Sequence, residues 1–334
     1  MAMTTACEYL QLPLKSPVVV GSCPLTMEPE SVRQMVACGA GAVVLPSIFQ
    51  EQFNDPDKVD PYSRIYNAGP DRYLRVVQEI KRLVSVPVIA SLNGFCDGEW
   101  LDFARRIDAY GADAIELNVQ PVIADPRESA DAIETKLVEM VRKVCDSVAI
   151  PVAVKTTKRF TNLANVLRRF QSAGAAGVVL FAHDLHWDVA IDQLHWTTQW
   201  ELTPVDSVGA TVSGIVQARA AGLNLSIAAS GGVRTADDAI KVMIAGADVA
   251  MITSEIYRAG PTSILRMVQG IERYLETAGY PTLARFRQAR PAPILRSHRG
   301  MRDDYLVSLT RSTKYRDPTP VHPVFTGDRY GHRD

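Results

Sequence analysis

The chain has 334 residues, 47% of them hydrophobic and 22% charged, and a formal net charge of −1. That usage suits one large globular domain or two ordinary ones, and its charge offers nothing global to attract nucleic acid or an anionic membrane. No apolar run reaches the ~18 residues of a membrane span, the first residues lack an export signal, and five scattered cysteines without metal spacing read as reduced thiols of a cytoplasmic protein.

In chain order the first candidate strand is PVVVGS (17–22). The second closes CGAGAVVLPS (38–47), the third is VPVIASLNG (86–94), the fourth closes YGADAIELNV (110–119) and the fifth is IPVAVKTT (150–157). AGAAGVVLFAH (173–183), LSIAASGG (225–232) and AGADVAMITS (245–254) bring the count to eight. One phrase recurs among them, a small-residue turn followed by a short strand apolar on both faces. The intervening segments have helical patterning. Residues 71–83 place Leu74, Val77, Ile80 and Leu83 on one stripe, and residues 131–144 do so with Ile133, Leu137, Met140, Val141 and Val144. Doubly apolar strands alternating with helices imply a parallel sheet covered by helices.

Eight such units in roughly 250 residues predict an α/β fold, a closed (β/α)8 TIM barrel. The alternative, an open doubly wound sheet, lacks its G-x-G-x-x-G turn, since GSCPLT follows the first strand. Two long connections, 48–72 and 184–209, leave the C-termini of the second and sixth strands, where lids and binding loops belong. Trp187, Trp196 and Trp200 of the second are expected to anchor that loop onto the core. The barrel is expected over 1–290. Residues 291–334, with eight Lys/Arg against five Asp and no periodicity, are expected to be a C-terminal surface extension.

A barrel collects its strand ends on one rim: Ser22, Ser47, Asn93, Asn118, Lys155, His183, Gly231–Gly232 and Thr253–Ser254. Singly these are ordinary caps, turns and loop charges. Together they look like a site. The segment ASGGVRTADDAIK lets backbone approach an anion at Gly231 and Gly232, with Thr235 or Asp237 capping the next helix and Thr253 and Ser254 adding donors. Asn93 and Asn118 match a ring edge of alternating donors and acceptors. Lys155 faces the negative charge that such a ring acquires on reduction. FMN meets all three descriptions.

The stretches PVVVGSCPL, VPVIASLNG, DAIELNV, IPVAVKTT and ASGGVRTADDAIKVMIAGADVAMITSEIYRAGP, taken in order, resemble the dihydroorotate dehydrogenase family, nearest its bacterial dihydroorotate dehydrogenase-like branch, over roughly residues 8–275. The resemblance implies a (β/α)8 barrel, bound FMN and CH–CH oxidoreductase chemistry on a small molecule. It matches Asn93 and Asn118 to the amides at flavin and substrate, Lys155 to a flavin-contacting lysine, and Gly231, Gly232 and Ser254 to the phosphate site. Ser22 matches a first-strand residue under the flavin.

There are departures. The family's Cys or Ser base after the fourth-strand Asn is replaced by Val119-Gln120-Pro121, and its second-strand lysine falls within Leu45-Pro46-Ser47. Its sixth-strand Asn becomes Ala182, beside His183, which is the candidate proton-transfer group. The substrate is therefore expected to differ from dihydroorotate. Two alternatives stand: an inert FMN barrel serving a partner protein, and a Schiff-base aldolase-like barrel using Lys155. His183-x-x-His186, with Asp184 and Asp188, lacks a placed third ligand, so no metal is expected. Cys23 and Cys96 read as small hydrophobes. With no iron–sulfur motif, an electron-transfer partner would be a separate protein. The oligomeric state is open, a homodimer among the options.

Overall fold

The computed structural model describes residues 5–54, 66–94, 98, 100–120, 125–183, 186–199, 201–204, 207–292 and 298–311. An antiparallel hairpin, β1 (Cys7–Tyr9) and β2 (Leu12–Leu14), comes first. Then follow β3 (Val18–Val20), β4 (Ala42–Phe49), β5 (Val88–Asn93), β6 (Ala114–Val119), β7 (Val152–Thr156) and β8 (Gly177–Leu180). A second hairpin, β9 (His186–Ala190) and β10 (His195–Gln199), precedes β11 (Ser226–Ser230) and β12 (Val249–Ile252). The barrel runs β3-β4-β5-β6-β7-β8-β11-β12 and closes back on β3, and its strands are the eight read from the sequence.

Helices cover the outside as expected. Helix Pro70–Leu83 starts with proline, whose missing N–H costs nothing there, and buries Leu74, Val77 and Ile80 of the expected stripe, while Leu83 is exposed. Helix Ala130–Ser147 is capped by Ser129, whose Oγ accepts from Ala132 N at 3.2 Å, and it buries Leu137, Met140, Val141 and Val144. The opposite strand faces look inward, where Val19, Ile89, Ala114, Ala153, Val179 and Ala228 form a separate core.

The first hairpin plugs the N-terminal mouth of the barrel. Tyr9, Leu10 and Leu14 join the inner core, and Leu10 N donates to Ser226 Oγ, at the start of β11, at 3.1 Å. Its two-residue turn, Leu10-Gln11, has φ of +53° and +62°, the twist that tight hairpins need.

Several expectations are corrected. Strand β4 runs to Phe49 rather than stopping at Ser47, because its register against β5 shifts between Val44 and Ser47. Pro46 lies in that shift, which suits a residue with no N–H to give the ladder. The connection after β8 contains the β9–β10 ribbon. Trp187 and Trp196 stand on it 66% and 73% exposed, so they do not anchor the loop to the core. The ribbon satisfies its backbone between its own strands, and both indoles lie on one of its faces. Trp200 lies outside the described residues.

The chain divides into two compact units, 1–293 and 294–334. The second contains helix His298–Arg311, in a stretch where the sequence showed no period. No helix among the described residues is long and apolar enough to cross a membrane.

Candidate functional site

At the C-terminal mouth, β5, β6 and β7 set Asn93, Asn118 and Lys155 in one row: Asn93 is opposite Asn118, and Asn118 is opposite Lys155. Each is an even number of residues from an inner-core residue of its own strand (Ile89, Ala114, Ala153), so all three belong to the inner face. One step deeper Ser91 pairs with Glu116 across β5 and β6, and Ser47 Oγ lies 2.8 Å from Ser91 Oγ. Ser47 is therefore inside the wall rather than on the rim.

Lys155 Nζ donates to Glu116 Oε1 at 3.2 Å, with the lysine side chain 13% exposed and the glutamate 1%. In the sequence Glu116 stands as a lone carboxylate between Ile115 and Leu117 of an apolar strand. Its position two residues before Asn118, on the same face, was the available signal. Asn118 Oδ1 and Glu116 Oε2 are buried without hydrogen-bond partners among the described residues. An unpaired buried acceptor costs about 1–3 kcal/mol, so a donor arriving at this place is favoured.

After β11, Gly231 and Gly232 have φ of +96° and +81°. A Cβ on Gly232 would come within 2.4 Å of Val208 N, the first residue of helix Val208–Ala220, so loop and helix N-terminus are in direct contact. Ser207 does not cap that helix; its hydroxyl donates to Pro204 O at 2.8 Å. Thr235 caps helix Ala236–Ala245 in a reciprocal capping box with Asp238, so Thr235 rather than Asp237 takes that role.

Thr253 precedes helix Ser254–Ala259, and its Oγ1 lies where a Cβ on Gly21 would fall, which brings the end of β12 against the end of β3 beside Ser22. Ser254 Oγ accepts from Thr203 N at 3.1 Å and donates to Thr203 Oγ1 at 3.2 Å, while Arg258 Nη2 donates to Thr203 O at 2.6 Å. This clasp from the segment after β10 was not legible in sequence.

His183 is partly buried, and its carbonyl accepts from Gln120 Nε2 at 2.7 Å. Gln120 thus bridges the ends of two strands, and Val119 is fully buried. Pro121 lies outside the described residues, as do Cys96, Asp184 and the side chain of His186. Among the described residues no group of three His, Cys, Asp or Glu side chains could hold a metal. Cys23 is buried, and burial first of all pushes its thiol up, so it behaves as the small hydrophobe expected.

An FMN needs an anion grip, partners for its ring edge and a cation near the ring's electron-accepting side. The open Asn118 oxygen would accept from a ring N–H, and the row of Asn93, Asn118 and Lys155 presents amide donors and one ammonium. Gly232 packs against the N-terminus of helix Val208–Ala220, and beside it Gly231 has only Thr211 Oγ1 near its Cβ position, at 3.6 Å. The residues present fit the group.

No protein-family model matches the chain. Curated relatives do. The chain is 30% identical over 290 residues to the catalytic subunit of dihydroorotate dehydrogenase B (NAD(+)) of Methanocella arvoryzae, covering 82% of this chain and 94% of the relative. It is 26% identical over 285 residues to the subunit of the same name of Pyrococcus abyssi, covering 80% of this chain and 93% of that relative.

Proposed function

The chain belongs to the dihydroorotate dehydrogenase family, and from that premise we propose that it is an FMN-dependent oxidoreductase of the CH–CH type acting on a small molecule other than dihydroorotate. FMN is the family's cofactor and supplies the hydride chemistry when bound. Asn93 and Asn118 bind the polar ring edge, and Ser22 lies beneath it. Gly231, Gly232 and Thr253 hold the phosphate, together with the backbone N–H of Ser254, whose hydroxyl proton goes to Thr203. Lys155 offsets the negative charge of the reduced ring. His183 moves a proton to or from the substrate.

One observation carries the substrate reading. Beyond Asn118 the chain offers Val119, buried in the barrel wall, and Gln120, tied to the His183 carbonyl, where a proton-abstracting side chain would be needed. General-base help is worth ~10²–10⁴-fold. The same feature favours a second reading, an FMN barrel that serves a partner protein without turnover. The aldolase alternative loses support, because a Schiff-base lysine needs a neutral amine and Lys155 sits in an ion pair. The relatives' designation as catalytic subunits supports a separate electron-transfer chain here too.

The test has two steps. Mass spectrometry of the ligand released on denaturation is expected to return FMN at about one per chain. Dihydroorotate, added anaerobically, is expected to bleach the bound flavin ~10²–10⁴-fold more slowly than a base-containing relative allows; rapid bleaching overturns the substrate reading.

A further inference from the structure

We propose that Glu116 is a positioning residue that acts through Lys155, holding the ammonium in place and setting how much positive charge reaches the mouth of the barrel. The inference rests on the FMN reading above and deepens it.

Glu116 lies on the inner face of β6, opposite Ser91 and one step below Asn118. Its side chain is 1% exposed and contacts Lys155 Nζ at 3.2 Å through Oε1, while Oε2 has no partner among the described residues. Beneath it is the plug, where burial and then the Glu116 charge hold the Tyr9 phenol well above its usual range. A carboxylate in that place is costly on its own, because burial penalises charge and few donors satisfy it. A packed apolar residue would stabilise the barrel at least as well. What Glu116 does is aim and temper a single cation. Lys155 has four rotatable carbons, and the bond to a buried carboxylate selects one height for its ammonium. Because Glu116 stands one step deeper than Asn118, that bond also holds the ammonium back from the mouth and weakens the field it projects there.

The sign follows from the charges. Removing the carboxylate's charge weakens its hold on Lys155, the ammonium reaches nearer the mouth, the reduced and more negative ring is better stabilised, and the flavin's midpoint potential rises. In Glu116→Gln the reduction equilibrium is expected to shift about tenfold toward reduction, which is about 30 mV for a two-electron couple. Glu116→Asp, which draws the carboxylate back by one methylene, moves the potential part of the way in the same direction and serves if the glutamine variant does not fold. In a Lys155→Met background the buried carboxyl has no cation to hold, so Glu116→Gln is expected to add no further shift, the non-additivity of a coupled pair.

The experiment is spectroelectrochemical titration of the flavin in the purified holoprotein variants. An unshifted potential in flavin-bound Glu116→Gln and Glu116→Asp overturns the proposal, and so does an equal shift with and without Lys155, which assigns the effect to the carboxylate's own field. Wild-type protein that carries no flavin overturns the underlying FMN reading instead.

Discussion

Lys155 leaves the inner face of β7 beside Asn118, with its ammonium 3.2 Å from a carboxylate that is almost wholly enclosed. A cation so placed is weakly screened and acts strongly on a neighbouring ring that changes charge. Lys155→Met keeps the length and loses the charge. The variant is expected to retain oxidised FMN, because the amides and the glycine loop are untouched. Its midpoint potential is expected to fall by at least about 30 mV, a tenfold change in a two-electron equilibrium. Potentiometric titration checks this, and a variant whose potential equals that of the wild type returns Lys155 to a structural role. The row of Asn93, Asn118 and Lys155 was legible as a set of strand ends. Glu116 was not, because in sequence a lone carboxylate inside a strand looks like a break in the pattern, and only pairing with β7 gives it a partner.

At the scale of elements, the loop after β11 is constrained by its neighbour as well as by any ligand. Gly232 combines a φ of +81° with a Cβ position 2.4 Å from Val208 N. Gly232→Ala is therefore expected to cost at least about 1–3 kcal/mol from backbone strain alone and to lower the thermal midpoint by several degrees. A melt unchanged by the substitution would show that the loop and the helix N-terminus are free to part. For the same reason flavin loss in a Gly232→Asp variant says nothing specific about phosphate, since the substitution disturbs the loop first. Other elements escaped sequence reading for local reasons. The β1–β2 turn is Leu10-Gln11, without the Asn or Gly that usually marks positive φ. The β4 bulge is hidden by Pro46, which reads as a strand end.

For the whole molecule, the barrel has two differently made ends. The C-terminal mouth is polar, and the N-terminal mouth is closed by Tyr9, Leu10 and Leu14 packed on inner-face residues. Leu10 is fully buried, and its Cδ2 lies 2.5 Å from where a Cβ on Gly177 would be, so the plug is seated against β8 without room to spare. Leu10→Ala is expected to cost ~2–5 kcal/mol, as the transfer loss of a buried leucine plus the cavity left behind. Denaturant unfolding measures the loss, and flavin content should hold, since the site is at the other end. A cost below about 1 kcal/mol would mean that the plug can be lost without the barrel noticing.

By itself the sequence determined the eight strands, their order, the helices between them and the rim on which the polar residues gather. All of these are local signals: apolar runs bounded by small-residue turns, stripes at helical spacing, and a fold whose strand ends share one face. It also determined that Val119-Gln120-Pro121 holds no base, because side-chain chemistry needs no coordinates. Only the tertiary structure decided which residue partners Lys155, that Ser254 is clasped by Thr203, that Ser47 is inside the wall, and that Trp187 and Trp196 are exposed. Those outcomes depend on register between strands far apart in the chain and on the direction of a loop, and neither leaves a periodic trace in the order of residues.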